Sequence, residues 1–346
     1  MRKLASIQEI KSIEPINGAD RIELAHVLGW QCVVNKNQFK QGDLAVYFEI
    51  DSFLPVREPF EFLRKSSFVT TPTEGFKLRT QKFKGVISQG LLLPVSSFPE
   101  ISAPHIGDDV THLLGVTKWE DEQITAKDAN IIGLRPFCIP HTEEIRIQAM
   151  PELLNEFSDI DYYISTKMDG SSHSIGVDPY TETFYVSGRN YELRNGPFWE
   201  FVQRRGYGMN IREFAEKEHL TSLVIQGEFC APNIQGNKLK LNAPEWYVFT
   251  VIEDGRRSGL NRMLDVCNAL GLVHVPIEET GYDLTTKYPN VDALLKRAEG
   301  EYPRGGKKEG IVIRPATPVY SMSLNDLLSF KVINNSFLLK KGGEAK

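Results

Sequence analysis

The sequence predicts an α+β protein of two domains, a small all-β domain followed by a larger mixed one. Three observations carry this expectation. Residues 1 to about 120 read as short strands between Gly, Pro and Asn turns, the pattern of a small barrel or sandwich. The stretch from about 95 to 145 is interrupted by Pro94, Pro99, Pro104, Pro136 and Pro140 and lacks periodicity, which puts the domain boundary near residue 125. Beyond it, apolar strands alternate with helical stretches. A chain of 346 residues suits about two domains and can bury ample core.

In the first part, Arg21-Ile22-Glu23-Leu24-Ala25-His26-Val27-Leu28 alternates polar and apolar until Gly29 breaks it. Trp30-Gln31-Cys32-Val33-Val34 follows, and Lys40-Gln41-Gly42-Asp43 is a turn. Leu44-Ala45-Val46-Tyr47-Phe48-Glu49-Ile50 is nearly continuous in apolar residues, as a strand buried on both faces would be. In the second part, strands are expected around 161–167, 181–187, 223–230, 246–252 and 309–314. Helices are expected near 197–219, 259–270 and 291–299, with Gly271 as the C-cap of the second.

Composition excludes several classes. The longest apolar runs are far short of a membrane span. The N-terminus Met1-Arg2-Lys3-Leu4-Ala5-Ser6 lacks an apolar signal core, so a soluble, cytoplasmic protein without a membrane partner is expected. Cys32, Cys138, Cys230 and Cys267 are scattered singly, which speaks against a zinc ribbon or a disulfide framework. The net charge of -5 does not announce a nucleic-acid partner, so any such site must be a local basic patch. Nothing indicates an oligomer, and a monomer is the expectation.

One short stretch carries chemistry. In Ser165-Thr166-Lys167-Met168-Asp169-Gly170-Ser171-Ser172 a lysine stands where a strand gives way to a turn, with a carboxylate two positions on. Strand alternation would point Lys167 and Asp169 to one side. Taken alone, Asp169-Gly170 is equally a surface turn. Further on, Val186-Ser187-Gly188-Arg189 ends a strand on an arginine, and Gln226-Gly227-Glu228 puts a carboxylate in an apolar strand. Trp246-Tyr247-Val248-Phe249-Thr250-Val251-Ile252-Glu253 is an aromatic strand ending on a carboxylate. Glu309-Gly310 opens another strand, and Ser329-Phe330-Lys331 lies near the chain end. Each has a bland reading, since charged strand ends are mostly solvated.

The ordered set resembles the covalent nucleotidyltransferases, the superfamily of polynucleotide ligases and mRNA-capping enzymes, over residues 146 to 335. The resemblance implies a nucleotidyltransferase domain of antiparallel sheets with flanking helices around an ATP cleft. It implies Lys167 as the nucleophile that forms a lysyl-AMP, with Asp169, Glu309 and Lys331 as its catalytic companions. Arg146, Thr166, Met168, Arg189, Glu228, Phe249 and Lys331 would bind ATP. Asp169, Glu253 and Glu309 would hold Mg²⁺ or Mn²⁺, through its waters rather than by a full cage. A lysine attacks only when neutral, a form that burial and an adjacent metal favour.

Two N-terminal segments, Asn17-Gly18-Ala19-Asp20-Arg21-Ile22-Glu23-Leu24 and Phe83-Lys84-Gly85-Val86-Ile87-Ser88-Gln89-Gly90-Leu91-Leu92-Leu93-Pro94, resemble parts of tRNA-binding OB-type domains. Lys77, Arg79, Lys82 and Lys84, with Phe76 and Phe83 interleaved, form a basic ribbon with the composition of a nucleic-acid groove. Domains are thus expected at 1–125 and 126–346.

Three details choose the branch. Ser172 stands where DNA ligases and capping enzymes commonly carry arginine. The chain ends at Lys346, 15 residues beyond Lys331, so no OB domain follows the last motif. The OB-like segment comes first instead, and Thr142-Glu143-Glu144-Ile145-Arg146-Ile147-Gln148 is similar to a segment of RNA ligases with that domain order. The expectation is an ATP-dependent RNA ligase joining 3′-OH and 5′-phosphate RNA ends at duplex nicks. A capping-type guanylyltransferase and a non-catalytic RNA-binding protein are the alternatives. Ser329 departs from the ligase pattern, which often has lysine there.

Overall fold

A computed structural model describes residues 2–70, 73–119, 130–177 and 183–339. The chain divides into two units. One takes in the residues up to Trp119 with Gln148–Pro151 and Leu338, and the other takes in residues 130–147 and Glu152–Phe337. The boundary expected near residue 125 falls outside the described residues.

In the first unit the apolar run at 44–50 behaves as its composition demands. Strand Leu44–Phe48 is the centre of a three-stranded antiparallel sheet between Ala5–Glu9 and Leu91–Pro94. Val46 and Phe48 face a core with Ile7, Leu54, Phe60 and Phe98. Ala45 and Tyr47 face another with Ala25, Trp30 and Cys32. Burial on both faces is why the run cannot alternate. Ser12–Pro15, Ile22–Val27 and Trp30–Asn35 form a meander. Gln81–Phe83 and Val86–Ser88 form a hairpin whose turn, Lys84-Gly85, has φ of 48° and 83°. Positive φ at both turn positions matches the right-handed twist of the two strands.

Among the described residues the second unit holds two main sheets and a two-stranded ribbon of Tyr320–Ser321 with Asp326–Leu327. The larger has eight strands, with Ser171–Val177, Leu223–Cys230 and Glu245–Glu253 adjacent in its middle. Helices Pro197–Arg205, Tyr207–Lys217 and Leu260–Leu270 share its main core through Phe198, Phe201, Val202, Ile211, Met263 and Val266. The single helix expected over 197–219 is two helices, because Gly206 takes φ 65° and breaks the ladder. Gly271 caps the third helix at φ 62°, as expected.

The smaller sheet has the order Ile145–Arg146, Phe330–Ile333, Gly310–Pro315, Asp161–Lys167, Ile277–Tyr282. Its first pair is parallel and the others antiparallel. No helix among the described residues is long and apolar enough to cross a membrane.

Candidate active site

Strand register assembles the site. Lys167 pairs with Gly310 and Ser165 with Val312; Val312 pairs with Lys331, and Lys331 with Arg146. Residues opposite one another share a face, so Lys167, Lys331 and Arg146 lie on one side of the smaller sheet. Glu309, one residue before the partner of Lys167, accepts a hydrogen bond from Lys167 Nζ at Oε2, 2.8 Å away.

The strand ends at Lys167. Met168, Asp169 and Gly170 then carry the chain into the larger sheet, where Ser171 pairs with Phe229. Strand alternation therefore does not place Asp169 beside Lys167, as the sequence suggested; the crossing between sheets does. Gly170 is needed for space. A Cβ there would stand 2.5 Å from Phe229 O and 2.7 Å from Cys230 Sγ. Gly170→Ala is expected to force the crossing apart and cost about 1–3 kcal/mol, read as a lower denaturant midpoint; an unchanged midpoint would refute the steric role.

Glu228 lies opposite Ser172 in the larger sheet and joins Lys167 in one charge cluster. Burial pushes its carboxyl up to about 7, against the pull of Lys167 and with help from Glu309. Burial likewise raises Asp169, although Lys238 Nζ is 2.9 Å from its Oδ2. For Lys167 itself burial works against the charge, but Glu309 and Glu228 outweigh it and hold the ammonium above the ordinary lysine range. Burial does favour the neutral amine, as expected, but the carboxylates together outweigh it.

Such an excess of carboxylate suits a divalent cation. Among the described residues no three His, Cys, Asp or Glu side chains converge closely enough to hold a metal directly. The donor set fits an ion that keeps its waters. Glu253 does not belong to it. Leu223 pairs with Glu253 whereas Glu228 pairs with Tyr247, which leaves Glu253 roughly 20 Å further along its strand. There it accepts from Arg262 Nη2 at 2.6 Å and from Ser258 Oγ at 2.7 Å.

Several participants escaped the sequence. The Tyr302 hydroxyl donates to Lys167 O at 2.8 Å and accepts the Glu309 N–H at 3.2 Å, tying the two ends of the Lys167–Glu309 pair together. Tyr302→Phe is expected to slow covalent labelling of Lys167 about tenfold by loosening both residues. An unchanged initial rate of labelling would show that the hydroxyl does not position them. Arg314 donates to Glu144 Oε1 at 2.6 Å and to Phe249 O at 2.6 Å, fastening the aromatic strand. The Ser329 hydroxyl donates to Glu144, so the position that departs from the ligase pattern completes an internal Arg314–Glu144 network. Only side chains far apart in the chain reveal these links.

A cavity of about 450 Å³ is lined by Thr166, Met168, Tyr247, Pro276, Glu278 and Tyr302 among others, the chain neighbours of Lys167 but not Lys167 itself. The Thr166 hydroxyl donates to Glu278 Oε1 at 2.7 Å, and Phe249 packs on the cluster that contains Met168. Arg189 is half-exposed and pairs with Glu143 Oε2 at 3.1 Å. His173 packs 4.3 Å from the Phe198 ring, and burial pushes its pKa down to about 4; it is a neutral structural residue.

In the first unit the basic ribbon is only partly a surface. Lys77 is buried with its Nζ 4.4 Å from the Trp119 ring centroid, and Phe76 is core. Lys77 is therefore not available to phosphates, because alternation on Gly75–Lys77 yields to two-sided burial. Arg79 and Lys84 are exposed and Lys82 is half-buried.

A family model described as RNA ligase matches residues 160–333, which hold all but one strand of each sheet around Lys167. The chain belongs to the RNA ligase family. An OB-fold domain model matches residues 4–95, ahead of the ligase domain. The RNA ligase fold is thus α+β, an OB-fold domain followed by a ligase domain of mostly antiparallel sheets. The chain is similar to Naegleria gruberi RNA ligase solved with pyrophosphate, at 32% identity and a TM-score of 0.84 over 98% of each chain. It is similar to that ligase's glutamate-to-alanine variant with ATP and Mn, at 32% identity and a TM-score of 0.85, over 97% of this chain and 98% of the other. A lysine-to-methionine variant with AMP and Mn gives 32% identity and 0.84 over the same shares. No curated protein matches the chain.

Proposed function

We propose that this RNA ligase is ATP-dependent and seals 3′-OH and 5′-phosphate RNA ends through a lysyl-AMP at Lys167. One observation carries the reading: an amine bonded to Glu309 stands among three carboxylates, on the sheet face it shares with the cations of Lys331 and Arg146. Similar ligases solved with ATP, AMP and pyrophosphate support it.

Lys167, having shed its proton, attacks the α-phosphorus. An N–P bond forms, the α–β bridging bond breaks, and pyrophosphate leaves. The AMP then passes to the RNA 5′-phosphate, breaking the N–P bond and restoring the amine. Last, the 3′-hydroxyl attacks that phosphorus, loses its proton, and expels AMP as the phosphodiester forms. Lys331 and Arg146, on the face of Lys167, offset phosphate charge, and Phe249 flanks the base. Arg189 and Glu228 orient the ribose. Asp169 and Glu309 would hold Mg²⁺ or Mn²⁺, which would supply further charge neutralisation. Positioning and neutralisation are what such transfers chiefly require.

Duplex nicks are the proposed substrate. Arg79, Lys82 and Lys84 on the OB-fold domain supply cations for a nucleic-acid backbone. Incubation with labelled ATP or GTP and then with a nicked duplex tests the reading. Covalent label from ATP and a sealed strand are expected; label from GTP alone would overturn it.

A further inference from the structure

We propose that the loop from Arg135 to His141 is a stacking platform for an unpaired nucleobase of the RNA, with Phe137 as its ring. The inference rests on RNA being the substrate and adds a contact on the ligase domain itself. Phe137 is 96% exposed, the most exposed large apolar side chain among the described residues, and Leu134 beside it is 79% exposed.

The loop that displays this ring is fastened on both sides. The Arg135 N–H donates to Asn190 O at 3.0 Å, and the Ile139 N–H donates to Pro136 O at 3.0 Å. Ile139 is buried against Val224 and Ile252. Gln226 Nε2 donates to Pro140 O at 2.8 Å, and Arg135 Nη1 donates to Pro140 O and to Arg189 O at 3.2 Å each. The backbone is thus held in place while its largest apolar side chain meets water, an arrangement that internal packing does not call for.

Charge selects the occupant. The loop that bears the ring also carries cations: Arg135 lies within it, and Arg189, whose carbonyl accepts from Arg135 Nη1, is tied to it, with Glu143 as the counter-charge on Arg189. His141 shares this field, since after burial the largest influences lowering its pKa are those two arginines. An exposed ring among cations suits a base and its phosphates, and stacking does not depend on base identity. An apolar protein partner would find guanidinium groups at the rim instead. The same segment leads into Thr142, whose hydroxyl shares a hydrogen bond of 2.8 Å with Ser172, two residues past Gly170. The segment that follows the platform is therefore bonded to the strand that leaves the Lys167 turn.

The test uses the full chain and a labelled duplex broken in its RNA strand, with a few unpaired nucleotides at the break. Phe137→Ala is expected to raise the Kd about tenfold, whereas Phe137→Trp keeps it within about twofold. The added indole emission, taken as the difference from the parent protein, is expected to fall as RNA is added. Equal Kd for the alanine variant and the parent, or an added emission that saturating RNA leaves unchanged, would overturn the platform. Because Phe137 is exposed, an unchanged melting temperature separates lost binding from lost fold. Covalent labelling of the parent by ATP is measured alongside: its failure would sink the proposed function, while the titrations still report on Phe137.

Discussion

Lys167→Met is expected to abolish covalent labelling from ATP and to lower ATP-dependent sealing by at least about a thousandfold, the scale of losing a covalent nucleophile. In the proposed mechanism this amine is the group that forms the N–P bond. Lys167→Arg separates charge from nucleophilicity. A guanidinium keeps the positive charge beside Glu309 but does not deprotonate in a protein, so this variant should keep the fold and remain unlabelled. Sealing of RNA supplied already adenylated at its 5′-phosphate bypasses the first step and should survive in both variants to a measurable extent. Label retained in the methionine variant, located by mass spectrometry on another residue, would refute Lys167 as the nucleophile.

The second large effect concerns pH. The Glu228 carboxyl is pushed up from 4.5 to about 7, chiefly by burial, with Glu309 adding to the shift. An acid whose folded value lies above its unfolded one is held more tightly as the protonated form in the native state. The cost to stability is absent below about pH 4.5, grows through the window up to about pH 7, and is complete above it. Glu228→Gln removes a charge that the fold tolerates poorly. In chelator, this variant should exceed the parent in stability at pH 8 by about 1–3 kcal/mol, and the two should converge toward pH 5. Sealing should fall at least about tenfold if the carboxylate orients the nucleotide as proposed. A melting-temperature difference between variant and parent that is equal at pH 5 and pH 8 would remove Glu228 from the buried charge cluster. Gain of stability with loss of activity is the usual signature of a strained site.

Much of this molecule is readable without its structure because much of it is local. Two-sided burial of Leu44–Phe48 shows as an unbroken apolar run, and helix Leu260–Leu270 with its Gly271 cap shows as spacing and a terminator. Lys167, Glu228 and Glu309 announce themselves by standing in or beside apolar strands where a charge needs a reason. Glu253 stands in the same kind of position, and the same reasoning failed there. An aromatic strand of nine residues is long enough to carry one end to the site and the other to Arg262, and composition does not say which end is which. Lys77 failed similarly: a cation on a short strand reads as solvated until Trp119 covers it.

The sequence by itself determined the chemistry available: which side chains can attack, bind phosphate or bear a buried charge, and which strands and helices carry them. Tertiary structure alone decided which of them meet. Tyr302 reaches Lys167 across 135 positions, and Arg314 reaches Glu144 across 170. The protonation of Lys167 was likewise decided in three dimensions, because it depends on three carboxylates delivered by separate segments. Coulomb energy falls with distance through space, and sequence separation carries no measure of that distance. The motif Lys167-Met168-Asp169-Gly170 names the proposed nucleophile; the two sheets it joins set the charge that Lys167 bears.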